Sequence, residues 1–152
     1  NVDINEDISF LVDQESLYEA KSYEGNTIRL INAAGTDPVI RTSGYIAWIA
    51  VANTGLIYVK SSDVITQERT RTVVSRTASQ AIITHDGKVK VNQNSGLPMP
   101  HSVSDTYEIG HWSRTGDVYA GKFHRAMLFN KALSEEEAIK LSSINYVCPE
   151  DK

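Results

Sequence analysis

One helix signal stands near the end of a chain whose other segments predict strands and turns. It lies in residues 129–143, FNKALSEEEAIKLSS. Ser134 is a suitable N-cap, and Glu137 follows it at the spacing of a capping box. Glu135 and Glu136 add negative charge to the first turn, where the helix dipole favours it. Because a helix of about two turns is marginal alone, this one must pack on the strands before it.

Segments of alternating or fully apolar residues precede the helix, and turn residues separate them. The clearest hairpin is AIITHDGKVKVN at 81–92, since Asp86-Gly87 suits a type I′ turn. Residues 45–51 are apolar on both faces, which predicts a central strand with Trp48 in the core, and Tyr58 is also expected there. This pattern predicts an all-β sandwich or barrel. Further strands are predicted at 8–12, 26–33, 56–59, 63–77, 106–110 and 118–130.

Length and charge bound the organisation of the chain and its partners. A chain of 152 residues suits one domain with its own core. The first residues are acidic and mixed, so we interpret 1–25 as an N-terminal linker segment and 26–152 as the domain. A net charge of −4 argues against general nucleic-acid binding. No apolar run reaches the roughly 20 residues of a membrane helix, and the single cysteine, Cys148, excludes an intrachain disulfide.

The C-terminal half of the chain resembles a known family. The features that carry the likeness occur in order: a strand ending on Ile-Gly, an aromatic residue and a glycine opening the next strand, and an Ala-Leu-Ser run before the helix. They resemble the C-terminal signature of laminin G-like, concanavalin A-like jelly-roll domains. The segments concerned are 107–110, 119–121, 122–130 and 132–139, and strand 88–92 is similar to a further strand of that family, with Gln93 in place of its usual Gly.

The resemblance implies a specific version of the sandwich. The expected fold is an antiparallel β-sandwich, a concanavalin A-like jelly roll with one short C-terminal helix. In such domains the helix lies at the edge of the sandwich, and Phe129 and Leu133 would pack beneath it.

A hydrolytic function lacks its residues in this sequence. Glycoside hydrolases on this fold need two carboxylates across a cleft, and the hydrolytic branch of the family carries them as E-x-D-x-E on one strand. No such spacing occurs here. The histidines have neither the helical pairing nor the cysteine companions of a zinc site. We therefore expect no enzymatic activity, and we expect loop or surface positions for the four histidines, His85, His101, His111 and His124.

The loop GHWSRTGD at 110–117 is the candidate ligand-binding site. His111, Trp112 and Arg114 lie in it between two predicted strands. Sugars bind to an aromatic face with planar polar groups around it, and tryptophan supplies both a stacking face and an N–H donor. The alternative is that Trp112 folds back onto the edge of the sandwich.

Calcium is the one cofactor that the sequence leaves open. Many members of the resembled fold bind calcium through loop carboxylates, and oxygen ligands from separate loops leave no spacing to recognise. Asp105 and Asp117 are the first candidates because they flank the loop 110–116. The other loop acids are Asp63 and Asp86.

A polar row in segment 63–77 has two interpretations. It could meet an acidic glycan or a partner chain, or it could be a solvated strand face, which is the commoner case. Its members are Arg69, Arg71 and Arg76 with Thr66, Thr70 and Thr72.

Two functions follow from these expectations. The first is a non-catalytic recognition module, extracellular or surface-exposed, that binds a glycan or a cell-surface protein. The second is a structural domain, such as a fibre, decoration or adhesin domain of a virion or cell surface, which packs as a homo-oligomer. Neither involves nucleic acid or membrane insertion, and oligomeric state separates them.

Overall fold

Two five-stranded antiparallel sheets, a two-stranded ribbon and one helix make up the described fold. The computed structural model describes residues 7–16, 24–31, 39–43, 48–52, 56–60, 68–77, 79–94, 106–109, 111–112, 117–118 and 121–147. The strands are β1 (Ile8–Ser16), β2 (Glu24–Ile31), β3 (Val39–Ser43), β4 (Trp48–Ala52), β5 (Leu56–Lys60), β6 (Arg69–Arg76), β7 (Gln80–His85), β8 (Lys88–Asn94), β9 (Thr106–Ile109), β10 (His111–Trp112), β11 (Asp117–Val118) and β12 (Gly121–Phe129). The helix is α1 (Glu135–Ser142).

The first sheet has the strand order β12-β1-β6-β7-β8, and the second has the order β5-β4-β3-β2-β9. All their pairings are antiparallel. This architecture confirms the predicted all-β sandwich with one short C-terminal helix. β1 is an inner strand, although residues 8–16 fall in the segment that we interpreted as a linker; the boundary near residue 25 stays a prediction.

The inner strands of the first sheet, β1, β6 and β7, are largely buried on both faces. On one face, Leu11 and Val73 form an apolar cluster with Leu133 and Ala138 of the α1 region. Met127, Phe129 and Leu141 pack against this cluster, so Phe129 and Leu133 lie under the helix as the resemblance implies. Side chains alternate between faces along a strand, and the alternate positions of β1, β6 and β7 are buried as well. These are Ile8, Phe10, Val12, Val74 and Ile83.

The β7–β8 hairpin has the predicted turn. Asp86 and Gly87 have φ values of 47° and 76°, which is the pair of positive angles that a type I′ turn needs. The turn is also tied to β6. The Asp86 amide donates to the Arg71 carbonyl at 2.9 Å, and the Arg71 amide donates to Asp86 Oδ1 at 2.8 Å.

α1 begins with the predicted capping box. The Glu137 amide donates to Ser134 Oγ at 3.2 Å, and the Ser134 amide donates to Glu137 Oε2 at 2.8 Å. The two bonds satisfy amide groups that the first turn of a helix leaves without partners. Within the described ranges, no helix is long and apolar enough to span a bilayer.

We expect Ser134→Ala to lower the free energy of unfolding by about 1 kcal/mol, because it removes the acceptor for the Glu137 amide. Urea denaturation followed by circular dichroism measures the change. Ser134→Asp is the matched control, since aspartate also caps helices, and it should stay near the wild-type value. Equal losses in both variants would contradict a capping role.

Candidate functional site

The two ends of the candidate loop pair with each other. β10 and β11 form an antiparallel ribbon in which His111 lies opposite Val118, and Trp112 lies opposite Asp117. Both strands lie next to β2 of the second sheet. The sequence predicted a loop throughout 110–117, so the ribbon is a finding of the structure. In this ribbon Trp112, the candidate sugar-binding residue, is the cross-strand partner of Asp117, the candidate calcium ligand.

The structure describes the candidate site residues only in part. Arg114 and Asp105 lie outside the described residues, and His111, Trp112 and Asp117 are placed by their backbone. Among the residues that the structure describes, no group of three or more histidine, cysteine or acidic side chains could hold a metal ion. A calcium site at Asp105 and Asp117 stays a prediction.

The arginine row of β6 is not a solvated strand face. Arg71 and Arg76 are buried, and so are Thr70 and Thr72. The alternative that we favoured for this row is therefore wrong for these four residues, because both faces of β6 are covered. Burial lowers the pKa of Arg76 to about 10, which leaves it cationic at neutral pH. Only Arg69 keeps a large exposed fraction, 46% of its side chain, and Thr66 lies outside the described residues.

Asp13 of β1 is the partner that explains these arginines. Its carboxylate is 1% exposed and lies opposite Arg71 in the strand register. Arg69 Nε donates to Oδ1 at 2.7 Å, and Arg69 Nη2 donates to Oδ2 at 2.8 Å. Arg71 donates to Oδ2 from Nη2 at 2.8 Å and from Nε at 3.0 Å. Two guanidinium groups therefore hold one buried carboxylate through four hydrogen bonds.

Arg71 also fixes the end of α1. Its Nη1 group donates to the Ser143 and Tyr146 carbonyl oxygens, both at 2.9 Å. A cation near the last carbonyls of a helix is favoured by the helix dipole. Asp13, β6 and the segment after α1 are thus joined through one side chain.

Two opposing effects act on the pKa of Asp13. Burial raises it, whereas the hydrogen bonds and charges of Arg69 and Arg71 lower it and prevail. The pKa of Asp13 is therefore below its ordinary value of 3.8. A carboxylate in this state is a structural anion, and it is poorly suited to donate a proton near neutral pH.

A second polar group lies at the exposed end of the same strands. Lys122 Nζ lies 3.6 Å from Glu15 Oε1, and His124 Nε2 lies 3.4 Å from Glu15 Oε2. The register of β1 against β12 shifts between Asp13 and Gln14. Asp13 pairs with Arg125 and Gln14 pairs with Phe123, so His124 is the extra residue at this irregularity. This irregularity allows Lys122 and His124 to reach the same carboxylate. Sequence reasoning missed Glu15 and Lys122, since only tertiary pairing brings them together.

His85 departs from its expected surface position. It is 8% exposed; its Nδ1 lies 3.0 Å from Thr72 Oγ1 and its Nε2 lies 3.2 Å from Asp86 Oδ2. The order hydroxyl, imidazole, carboxylate is that of a hydrolase triad. Thr72 is buried as well, so no substrate can reach its hydroxyl, and the three residues join β6 to the β7–β8 turn.

A shallow groove lies at the opposite end of β1. Its volume is about 480 Å³, and its described lining is Asp7, Asn130, Lys131 and Ala132. Lys131 Nζ is already paired with Glu137 Oε1 at 3.0 Å. Among its described lining residues, the groove thus offers the Asp7 carboxylate and the Asn130 amide to a ligand, which is too little to define one.

Solved structures with the same fold include carbohydrate-binding modules. The CBM40 of the Ruminococcus gnavus IT-sialidase, bound to α2,3 sialyllactose, is 13% identical over 91% of this chain and 83% of that chain, with a TM-score of 0.74. Domain 4 of AbnA, an arabinanase of Geobacillus stearothermophilus in complex with arabinotriose, is 11% identical over 91% of this chain and 66% of that chain, with a TM-score of 0.69.

A pentraxin has the same fold as well. The heptameric SAP-like pentraxin of Limulus polyphemus is 10% identical over 95% of this chain and 73% of that chain, with a TM-score of 0.72. The fold is a lectin-like jelly roll. No family model matches the chain, and no curated protein matches it. The broader expectation of a concanavalin A-like sandwich is confirmed, whereas membership of the laminin G-like group stays a prediction.

We expect Asp13→Asn to lower the free energy of unfolding by about 3 kcal/mol at neutral pH, because it leaves buried Arg71 without its countercharge. Urea denaturation measures this loss. Lys131→Gln is a control that breaks an exposed ion pair and should change stability by less than about 1 kcal/mol.

The depressed pKa of Asp13 also predicts a pH dependence. Its contribution to stability is fully present above the ordinary pKa of 3.8. It is lost as the pH falls from there through the lower pKa of the folded state, because in that range the unfolded chain binds the proton and the folded protein does not. Denaturation series from about pH 5 down to about pH 2 should show this acid-dependent loss in the wild type and less of it in Asp13→Asn. Parallel profiles for the two proteins would contradict the assignment.

Proposed function

We propose that this chain is a non-catalytic carbohydrate-binding module that works outside the cell or on its surface. The observation that supports the proposal most is the likeness over 91% of this chain to a CBM40 bound to sialyllactose, of which the chain spans 83%. A second module with the same fold is in complex with arabinotriose. Proteins of this fold therefore bind both acidic and neutral sugars, and the ligand must be decided by local residues.

The β10–β11 ribbon is the binding site in this proposal. Trp112 provides the aromatic face for a sugar ring, and His111 and Arg114 provide hydrogen-bond donors beside it. A guanidinium group matches a carboxylate with two parallel hydrogen bonds. Arg114 would thus favour sugars that carry a carboxylate, such as the sialic acid of sialyllactose.

Non-catalytic binding agrees with the state of the described acids. Asp13 is buried and held by two guanidinium groups, and Glu15 lies beside Lys122 and His124. A glycosidase needs one carboxyl group with a raised pKa and a second carboxylate across a cleft from it. Asp13 has a lowered pKa instead.

A glycan-binding assay tests the ribbon. The probes are 3′-sialyllactose, 6′-sialyllactose, arabinotriose and lactose, and binding is measured by titration calorimetry. We expect Trp112→Ala to weaken binding of the preferred probe by about fivefold, since an aromatic stack contributes on the order of 1 kcal/mol. Trp112→Phe should retain most of the affinity.

Tyr146→Ala is the matched control, because it removes an aromatic ring that lies near Lys140 in the α1 region. It should leave binding unchanged. Equal affinities of the wild type and Trp112→Ala would rule out the ribbon as the sugar site. If none of the four probes binds, a homo-oligomeric fibre or adhesin domain becomes the better proposal, and sedimentation velocity then decides it.

The calcium proposal has its own test. Asp117 is the cross-strand partner of Trp112, so a calcium ion held by Asp117 and Asp105 would lie beside the bound sugar. We expect both a chelator and Asp117→Asn to weaken sugar binding, and the chelator to have no further effect on that variant. Glu136→Gln, an exposed change on α1, is the control. Binding that withstands the chelator would remove calcium from the proposal and leave the ribbon in place.

A further inference from the structure

The guanidinium group of Arg69 is held in place by Asp13 through two of its three nitrogen atoms. Its Nε and Nη2 groups donate to the Asp13 carboxylate at 2.7 and 2.8 Å. Among the described residues, no acceptor takes a hydrogen bond from its Nη1 group. The side chain is 46% exposed, whereas Asp13 is 1% exposed. A buried carboxylate therefore fixes the orientation of a cation that faces solvent, and fixed donors lose less entropy on binding than mobile ones.

Three further polar side chains lie next to Arg69. Glu15 is its cross-strand partner in the register of β1 and β6, and Glu15 in turn contacts Lys122 and His124. Lys122 is 66% exposed, and Glu15 and His124 are about one-third exposed. We call these four residues, Arg69, Glu15, Lys122 and His124, the Arg69 surface.

The Arg69 surface carries positive charge on a chain that is acidic overall. Arg71 already neutralises Asp13, with Nη2 at 2.8 Å from its carboxylate. The charge of Arg69 is thus in excess, and Lys122 together with Arg69 faces the single carboxylate of Glu15. The whole chain has a formal net charge of −4, so a local excess of cations points to an anionic ligand.

The surface is on the face of the first sheet that carries α1. Asp13 and Arg71 contact the carbonyl groups after α1 through Arg71 Nη1. Glu15 and Arg69 are two positions further along the same strands, so they share that face. The β10–β11 ribbon, by contrast, lies next to β2 of the other sheet.

We propose that the Arg69 surface is a second saccharide site, which binds the carboxylate or sulfate group of an acidic sugar. Arg69 Nη1 and Lys122 Nζ donate to the oxyanion, and His124 and Glu15 bind neighbouring hydroxyl groups. Both donors are charged, and charge-assisted hydrogen bonds to a carboxylate or sulfate oxygen are stronger than those between neutral groups. The choice of a saccharide rests on the proposed function, whereas the residues of this site are separate from the ribbon, so it can be tested without Trp112.

Nuclear magnetic resonance of the full chain tests this proposal. The probes are 3′-sialyllactose for a carboxylate, 3′-sulfolactose for a sulfate and lactose as the neutral reference. The reporter is the Arg69 Nε–H resonance, because its hydrogen bond to Asp13 fixes the group. We expect a saturable shift of this signal with one or both acidic probes and none with lactose. The probe that shifts it identifies the oxyanion.

Variants then separate specific binding from general attraction. We expect Arg69→Lys to lower the affinity for the acidic probe about fivefold and Lys122→Gln to lower it about twofold. Contacts between partly exposed charges have effects of this size. Lys88→Gln is the matched control, because it removes the same charge from an exposed position of β8. It should leave the affinity unchanged.

The outcomes decide between one site and two. Trp112→Ala should leave the Arg69 shift intact, even if the ribbon binds no sugar at all. The proposal is overturned if neither acidic probe shifts the Arg69 signal, if Lys88→Gln weakens binding as much as Lys122→Gln, or if Trp112→Ala abolishes the Arg69 shift. Lys122→Gln keeps the test valid if Arg69→Lys fails to fold, since Lys122 is 66% exposed.

Discussion

The ion pair between Asp13 and Arg71 joins parts of the chain that are far apart in sequence. Arg71 binds the carboxylate of β1 and the two carbonyl groups that follow α1. A buried charge pair is stable only when its remaining donors and acceptors are satisfied. Here Arg69 supplies the other hydrogen bonds to the Asp13 carboxylate. The ion pair can therefore be buried without leaving the carboxylate oxygens unsatisfied. This contact ties the segment after α1 to the first sheet.

The placement of α1 completes the core on that face of the sheet. Ala138 and Leu133 of the α1 region pack against Leu11 and Val73 of the sheet. Hydrogen bonds add to this contact: Ser75 Oγ donates to the Leu133 carbonyl at 2.7 Å, and Thr84 Oγ1 donates to the Ala138 carbonyl at 3.0 Å. The chain has one cysteine and hence no internal disulfide, so polar contacts and apolar packing together fix the helix.

The same arrangement separates the buried scaffold from the proposed ligand sites. The inner strands β1, β6 and β7 are buried on both faces and leave little surface for a ligand. The two proposed sites lie elsewhere: the β10–β11 ribbon lies beside β2 of the second sheet, and the Arg69 surface lies at the ends of β1 and β6. Structures with this fold are bound to sialyllactose in one case and arabinotriose in another, so the ligand of each depends on its local residues and not on the fold.

The sequence by itself determined the local features of this protein. The capping box of Ser134 and the turn at Asp86-Gly87 were predicted correctly because all their atoms lie within a few residues of each other. Trp112 was located as a candidate, but its pairing with Asp117 was not. For the arginines of β6 the sequence favours a solvated face over a binding surface, because Asp13, the partner of buried Arg71, lies 58 residues before it. Only the tertiary structure decided which charges are buried, because burial depends on strand neighbours that sequence spacing does not encode.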